Sequence, residues 1–479
     1  MKPVPIKHNE YRASLRNGIH QYYPDTSKIS KDTWAIYNQF KKLDLSRVDT
    51  LMRDKYSVFG PPPRPPSAML RSMLLAVKVK VFSITAWVRE LQVNPLYAII
   101  SGFQPDNVPG VGTFYDFISR LWDGTEDNFA PHIKPQPVKV EKPKGRGKKA
   151  ASVERETVEE LIKRLSGHSF LLGDEAYDTL FTLFYSCFVS VSIQSGLIRP
   201  GHIRMSGDGT PVVTSARMRS HHTCDCASKG IYNCNCDRYY SQPDCDIGWD
   251  SSRDRYYFGY DMYVLTDTSH DLPLIALLHP ASKHDSHSFC EAFFRLRAFA
   301  PDLMLSQLIL DSAHDNMATY RLCQQNNITP FIDLNLGNSK KTVDYHGVTL
   351  GPDGIPVCSA GHKMKSNGND LHRQYAKFRC PLMNGTTCSC PSPCSKSKYG
   401  RTCGIPLDSN PRLYNTPPRD SQEWKKVYNS RTASERCNKR MKIDFLLENG
   451  RHRSSKLWYI RAYIIMMVQH LDAWDNTTK

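Results

Sequence analysis

HIRMSGDGTPVV, residues 202–213, places one acid, Asp208, between two glycines after apolar residues at short spacing. Apolar and β-branched residues bounded by turn formers read as a strand. Asp208 is expected at its end, where the glycines let the backbone turn and a ligand come close. Working outward, YYFGYDMYVLTD (256–267) and LPLIALLHP (272–280) read as two more strands. HSFCEAFFRLRAFA (287–300) has helical spacing, LSQLILDS (305–312) reads as a fourth strand, NMATYRLCQQNN (316–327) as a helix and TPFIDLN (329–335) as a fifth strand. Three strands followed by alternating helix and strand give an α/β fold, a mixed sheet flanked by helices. Asp311 follows the apolar run of the fourth strand, so if the first and fourth strands are neighbours the two acids leave the sheet at one cleft. An Asp at a strand end also serves as a turn or helix cap.

The flanks differ. Residues 30–125 carry apolar residues at three-to-four spacing broken by Pro and Gly, as in MLRSMLLAVKVK and VGTFYDFISRLW, and predict a helical unit. PQPVKVEKPKGRGKKA, 135–150, is a basic, solvated linker. Lys and Arg outnumber Asp and Glu by 63 to 47, a net charge of +16, which favours a polyanionic partner, nucleic acid ahead of anionic lipid. The uncharged run Thr179 to Ile198 contains Ser, Thr, Gln and Gly and reads as a buried helix, with no membrane role. MKPVPIKHNEYRASLRNG (1–18) holds no apolar run of the secretory kind, so the expected setting is a reducing cytoplasm, at the nucleoid.

Near the C-terminus, VYNSRTASERCNKRMK (427–442) has one carboxylate among five basic side chains. On a helix at roughly 100° per residue, Tyr428, Arg431, Glu435 and Lys442 fall within about 60° of one another. One reading is a solvated helix with an ordinary Arg431–Glu435 pair four residues apart. The other is a face turned to DNA, cations on phosphates and the acid on a metal.

The spacing Tyr428, two residues, Arg431, three, Glu435, six, Lys442 resembles the Y-R-E-K signature of DDE transposases from bacterial insertion sequences. GLIRPGHIRMSGDGTPV resembles the segment carrying their first catalytic Asp, LILDSAHDNMATYR the strand carrying the second, and GPPPRPPSAMLRSMLLAVKVK with VGTFYDFISRL their N-terminal helical domain. Where this chain has His314, relatives commonly have an aromatic, and HPASKHDSHS also resembles a family segment, which makes Asp285 a rival acid. The resemblance implies an RNase H-like fold with a helical DNA-binding and dimerisation domain (1–134), the basic linker (135–150) and a catalytic domain (151–479) with Cys-rich insertions at about 221–245 and 358–403. It implies Asp208, Asp311 and Glu435 as catalytic ligands of Mg2+ or Mn2+. Tyr428, Arg431 and Lys442 would hold DNA, and a homodimer would act on double-stranded transposon ends and target. The activity implied is DNA cleavage and strand transfer at the terminal inverted repeats. Such chemistry needs an activated attacking oxygen, a stabilised leaving oxygen and a neutralised phosphate between them, which suits two hard cations roughly 3.5–4 Å apart held by carboxylate ligands. Alternatives are a catalytically lapsed DNA-binding relative and an RNase H-like nuclease.

Fifteen cysteines in a reducing setting call for something other than disulfides. Cys224, Cys226, Cys234 and Cys236 form two C-x-C pairs, with Cys245 beyond them. Cys358, His362, Cys380, Cys388, Cys390, Cys394 and Cys403 form a second group. Both patterns are candidate structural Zn2+ sites, with free thiols or an iron–sulfur centre as alternatives. Cys187, Cys290, Cys323 and Cys437 read as buried small hydrophobes.

Overall fold

The computed structural model describes residues 1–124, 133–134, 156–337, 341–384, 387–390, 395–398 and 400–476. The linker 135–150 and Cys394 lie outside the described residues, as does the side chain of Cys388. The first part of the chain is helical: α1 (His8–Tyr22), α2 (Lys31–Lys42), α3 (Ser46–Leu51), α4 (Pro66–Lys78), α5 (Ile84–Val93), α6 (Pro95–Ser101) and α7 (Val111–Arg120). Local chemistry sets the boundaries. Ser30 and Ser83 cap α2 and α5 by accepting the Thr33 and Ala86 amides, Pro95 opens α6, and Gly102 closes it at φ +94°, where a side chain would be strained.

Beyond the linker come α8 (Val158–Ser166), α9 (Asp178–Phe184), a π turn (Tyr185–Val189) and α10 (Ser190–Gln194). The uncharged run is therefore helical and largely buried, and no helix among the described residues is long and apolar enough to cross a membrane. The mixed sheet follows: β1 (Ile203–Val213), β2 (Asp246–Asp250), β3 (Arg255–Asp267), β4 (Leu272–Pro280), β5 (Leu305–Leu310) and β6 (Thr329–Ile332), with α11 (Asp285–Phe299) and α12 (Met317–Gln325) between the later strands. β1 lies between β3, antiparallel, and β5, parallel, and β6 extends the parallel edge. The other edge of β3 pairs with β2 over its first residues and with β4 over the rest. α13 (Gln422–Tyr428), α14 (Thr432–Lys439) and α15 (Ser455–Asn476) complete the chain.

Two expectations change. The strand bearing Asp208 does not end there but runs five residues on to Val213, because the long partner β3 continues to offer antiparallel hydrogen bonds. β2, the hairpin arm before β3, adds a strand in a stretch to which the sequence pattern assigns none. The 358–403 insertion forms small antiparallel sheets around its own core of Val348, Met364, Phe378, Ile405 and Tyr414.

α15 is buried without a break from Trp458 to Leu471, mostly apolar but including Arg461, Gln469 and His470, and packs against α4 of the helical unit and β4 of the sheet. A second tie is ionic: Arg295 of α11, buried among the rings of Phe170, Tyr177 and Phe299, grips Asp178 at the start of α9. The other Asp178 oxygen accepts the Gly173 and Glu175 amides, so both carboxylate oxygens are matched, while Arg295 Nε is buried without a partner. Breaking a buried pair strands the remaining charge. Arg295→Met should therefore cost about 3–5 kcal/mol in urea unfolding, whereas Arg164→Met, which breaks the exposed pair with Glu156, should cost no more than about 1 kcal/mol.

Candidate active site

Parallel pairing between β1 and β5 stops at Ser206 with Ile309. Asp208 lies two residues past that point and Asp311 directly follows the last residue of β5, so both carboxylates emerge where the strands part. Alternation along β1 sends Ser206 and Asp208 to the face covered by α14, and Gly207 and Gly209 to the face covered by α11. α14 is fixed in place by several contacts. Ser434 Oγ meets Ser206 Oγ at 2.8 Å, Arg436 forms a bidentate pair with Asp271 at 2.7 Å twice, and Cys437 packs buried beside Gln469. From this helix Asn438 Nδ2 donates to Asp208 at 3.1 Å.

Asp208 is pushed up to about 7 by burial, then by the charges of Asp285 and Asp311, with Arg431 and Asn438 opposing. Asp311 goes the other way: burial raises it, but hydrogen bonds from His314 and the Ala313 amide, and the charge of Arg431, leave it below its ordinary value. His314 is fully buried, its Nδ1 2.7 Å from Asp311 Oδ1 and its Nε2 2.8 Å from the Tyr263 hydroxyl. With the proton on Nδ1, the ring donates to Asp311 and accepts from Tyr263, which orients the carboxylate. Asp311 Oδ1 also accepts the Ala313 amide at 3.1 Å, so the capping role and a place in the cleft coexist.

The helix from 422 to 444 is not one regular α-helix. Asn429–Arg431 is a 3-10 turn and Arg440–Asp444 a π turn, which changes the angular spacing. Arg431 pairs with Glu435 at 2.5 Å, as in the ordinary four-residue reading, and Glu435 is half exposed. Arg431 also feels the charges of Tyr428 and Asp208, so it lies centrally among the acids. Tyr428 stacks on Trp424 with ring centres 4.6 Å apart, and burial lifts its hydroxyl to about 12. Lys442, carried off by the π turn, donates to the Pro211 carbonyl at 2.8 Å and faces Glu448 at 3.4 Å, bracing the far end of β1. The structure thus brings Asp208 and Asp311 to one cleft with Arg431 and Asn438 above them. The Glu435 carboxylate rests on Arg431, and the three acids do not share a single ligand point among the described residues.

Asp261, Tyr263 and Asn438 were not legible as site residues. Asp261 and Asp285 converge over Gly209: a Cβ there would stand 2.7 Å from Asp285 Oδ1 and 2.9 Å from Asp261 Oδ2. Asp261 is held well above the usual carboxylate range by burial and then by Asp285 and Asp208. The only signal was the pair of glycines: Gly209 leaves room for the Asp261 and Asp285 carboxylates, and Gly207, on the same face, for the Tyr263 hydroxyl.

Outside the cleft, Cys224, Cys226, Cys234 and Cys236 have all their sulfurs within 4.8 Å of one another. Cys224 and Cys234 are 3.6 Å apart, Cys226 and Cys236 3.7 Å, far beyond a disulfide and close to the edge of about 3.8 Å expected for a tetrahedron with Zn–S near 2.3 Å. These four could hold a metal; Cys245 stands away, beside Gln242 and Thr214. In the second group, Cys358, His362, Cys380, Cys390 and Cys403 form no such set among the described residues, because Cys358 and Cys403 belong to the small apolar core. Cys187, Cys290, Cys323 and Cys437 are buried, and burial pushes the first three thiols up to about 12 and Cys437 to about 11.

Residues 214–469, just over half the chain, match the family described as Transposase DDE domain, and 25–120 match Transposase domain (DUF772). The chain belongs to the DDE transposase family. No curated protein matches it. The catalytic match begins one residue after β1, so it covers Asp311 and Glu435 while Asp208 stands on geometry alone. In this transposase His314→Phe keeps the ring and removes both nitrogens, leaving the buried Tyr263 hydroxyl and Asp311 without that partner. A loss of about 1–3 kcal/mol is expected by denaturant unfolding, and a cost near zero would show that the bonds to His314 carry no net stability.

Proposed function

We propose that the protein binds the terminal inverted repeats of its own element and cuts and joins DNA there in a divalent-metal-dependent reaction. The observation that carries this is the emergence of Asp208 and Asp311 at the parting of β1 and β5, beneath α14, whose Glu435 rests on Arg431. The donor set fits Mg2+ or Mn2+: all three side chains offer hard oxygen atoms, and Asp208 keeps one oxygen without a hydrogen bond from Asn438. Asp208, Asp311 and Glu435 would hold the ions, which when bound activate the attacking oxygen and stabilise the leaving one.

The remaining residues position and neutralise. His314 holds Asp311 in one orientation, and Asn438 does the same for Asp208. Arg431, between the acids and the solvent, is placed to meet a phosphate as Glu435 turns from it toward the cleft. Tyr428 lies at the rim, one ring face on Trp424. The test is strand transfer with purified protein, Mg2+ and a labelled duplex of the element's end. Wild type should give product, and Glu435→Gln should lose more than the roughly 10–100-fold that removing an outer-shell partner costs, with DNA binding retained. Full activity in the variant would remove Glu435 from the site, and binding without product in wild type would leave a DNA-binding relative.

The four-thiol cluster is proposed as a structural Zn2+ site closing the loop after β1, where the strand Arg238–Tyr239 pairs with His221–His222 and with Ile133–Lys134 before the linker. Thiolates form strong tetrahedral zinc sites, and His222 Nδ1 lies 3.9 Å from both Cys224 and Cys234 as an outer partner. Elemental analysis of protein purified without added metal should give one zinc per chain, falling to none in Cys226→Ser/Cys236→Ser. A wild type free of zinc that stays folded would reject the assignment.

A further inference from the structure

We propose that the open cavity between α1 and α2 binds a backbone phosphate of duplex DNA, an inference that rests on the transposase reading. The cavity, of about 540 Å3, is lined by His8 and Arg12 of α1 and by Asn38, Lys41 and Lys42 of α2. Every lining side chain carries a nitrogen donor and none is an acid. The spacing explains the convergence, since residues three or four apart on a helix share a face.

Two nitrogens there, His8 Nδ1 and Arg12 Nε, have no hydrogen-bond partner in the protein. A guanidinium Nε is always a donor and donors are normally matched, so Arg12 is short of an oxygen. A phosphate supplies several, with the charge that Arg12 and Lys41 require. The acids that border the site are Asp44, whose charge acts on His8, and Asp475, 3.5 Å from Lys42. Neither lines the cavity.

A polymer fits better than a free anion. His8, Arg12, Arg16 and His20 recur at four-residue intervals along α1, all exposed or half-exposed, and wind through roughly 120° as a basic ridge leading away from the cavity. Such a ridge tracks a charged backbone, and nothing in it is arranged to read bases, so the contact should position DNA without selecting its sequence. α1 precedes the stretch matched as Transposase domain, whereas Asn38, Lys41 and Lys42 fall inside it.

The test uses the full chain, with anisotropy on two labelled duplexes of equal length, one carrying the element's end and one unrelated, over a salt series. Arg12→Gln/Lys41→Gln should lose affinity about tenfold on both duplexes, and the slope of log affinity against log salt should fall by about one. The charge-keeping Arg12→Lys/Lys41→Arg should recover most of the loss, and equal thermal melts check that both variants fold. Unchanged affinity and slope would overturn the proposal, as would a loss confined to the element's end or one that charge does not rescue. Stabilisation of wild type alone by inorganic phosphate, with DNA affinity equal in both proteins, would make this a free-anion site and overturn it too. If wild type bound neither duplex, the transposase reading itself would fall and this inference with it.

Discussion

Mutual repulsion among carboxylates gathered at one break in a sheet is the constraint around which the molecule is arranged. β1 and β5 must run parallel to form the sheet and must part to release Asp208 and Asp311, and the parting leaves two acids partly shielded from water near Asp261 and Asp285. Each is handled differently. Asp311 is kept ionised by His314, the Ala313 amide and Arg431, whereas burial and neighbouring carboxylates raise both Asp208 and Asp261. Like charges that close cannot all ionise, so their environments separate them.

The positioning of α14 follows from the same constraint. Its inward side holds small and amide side chains, Ala433, Ser434, Cys437 and Asn438, which approach β1 closely without adding charge. Its outward side holds Arg431, Glu435 and Arg436, with Arg436 spent on Asp271 and Arg431 facing the cleft. One helix thus screens the acids on one side and anchors itself on the other.

Much of the sheet could be read from the sequence because buried strands announce themselves in unbroken apolar runs: LPLIALLHP and LSQLILDS needed no tertiary information. Asp208 and Asp311 were legible as strand-associated acids, while adjacency of their strands was a condition that only the folded sheet meets. Asp261 and Tyr263 were not, since within an apolar strand nothing local says which side faces an active cleft. The π turn that redirects Lys442 also leaves no mark, because Arg440–Asp444 has ordinary helix-forming residues. The first thiol cluster was visible because ten-residue spacing between its pairs closes a local loop. The second group was equally visible, but among the described residues its members form no metal set, and Cys358 and Cys403 pack in an apolar core that only the folded insertion creates.

The hydrogen bond from Asn438 to Asp208 joins residues 230 apart in sequence, and Gln39 reaches the Leu471 carbonyl across 432. α15 is the inner wall shared by the helical unit and the sheet, yet it is made after both. Contacts so remote in sequence form late, and nothing near the N-terminus can stand in for them. During synthesis the cleft therefore stays incomplete until α14 has been made. A chain broken off before that point, by a stop codon or a truncated message, would carry the acids of β1 and β5 with no helix to cover them.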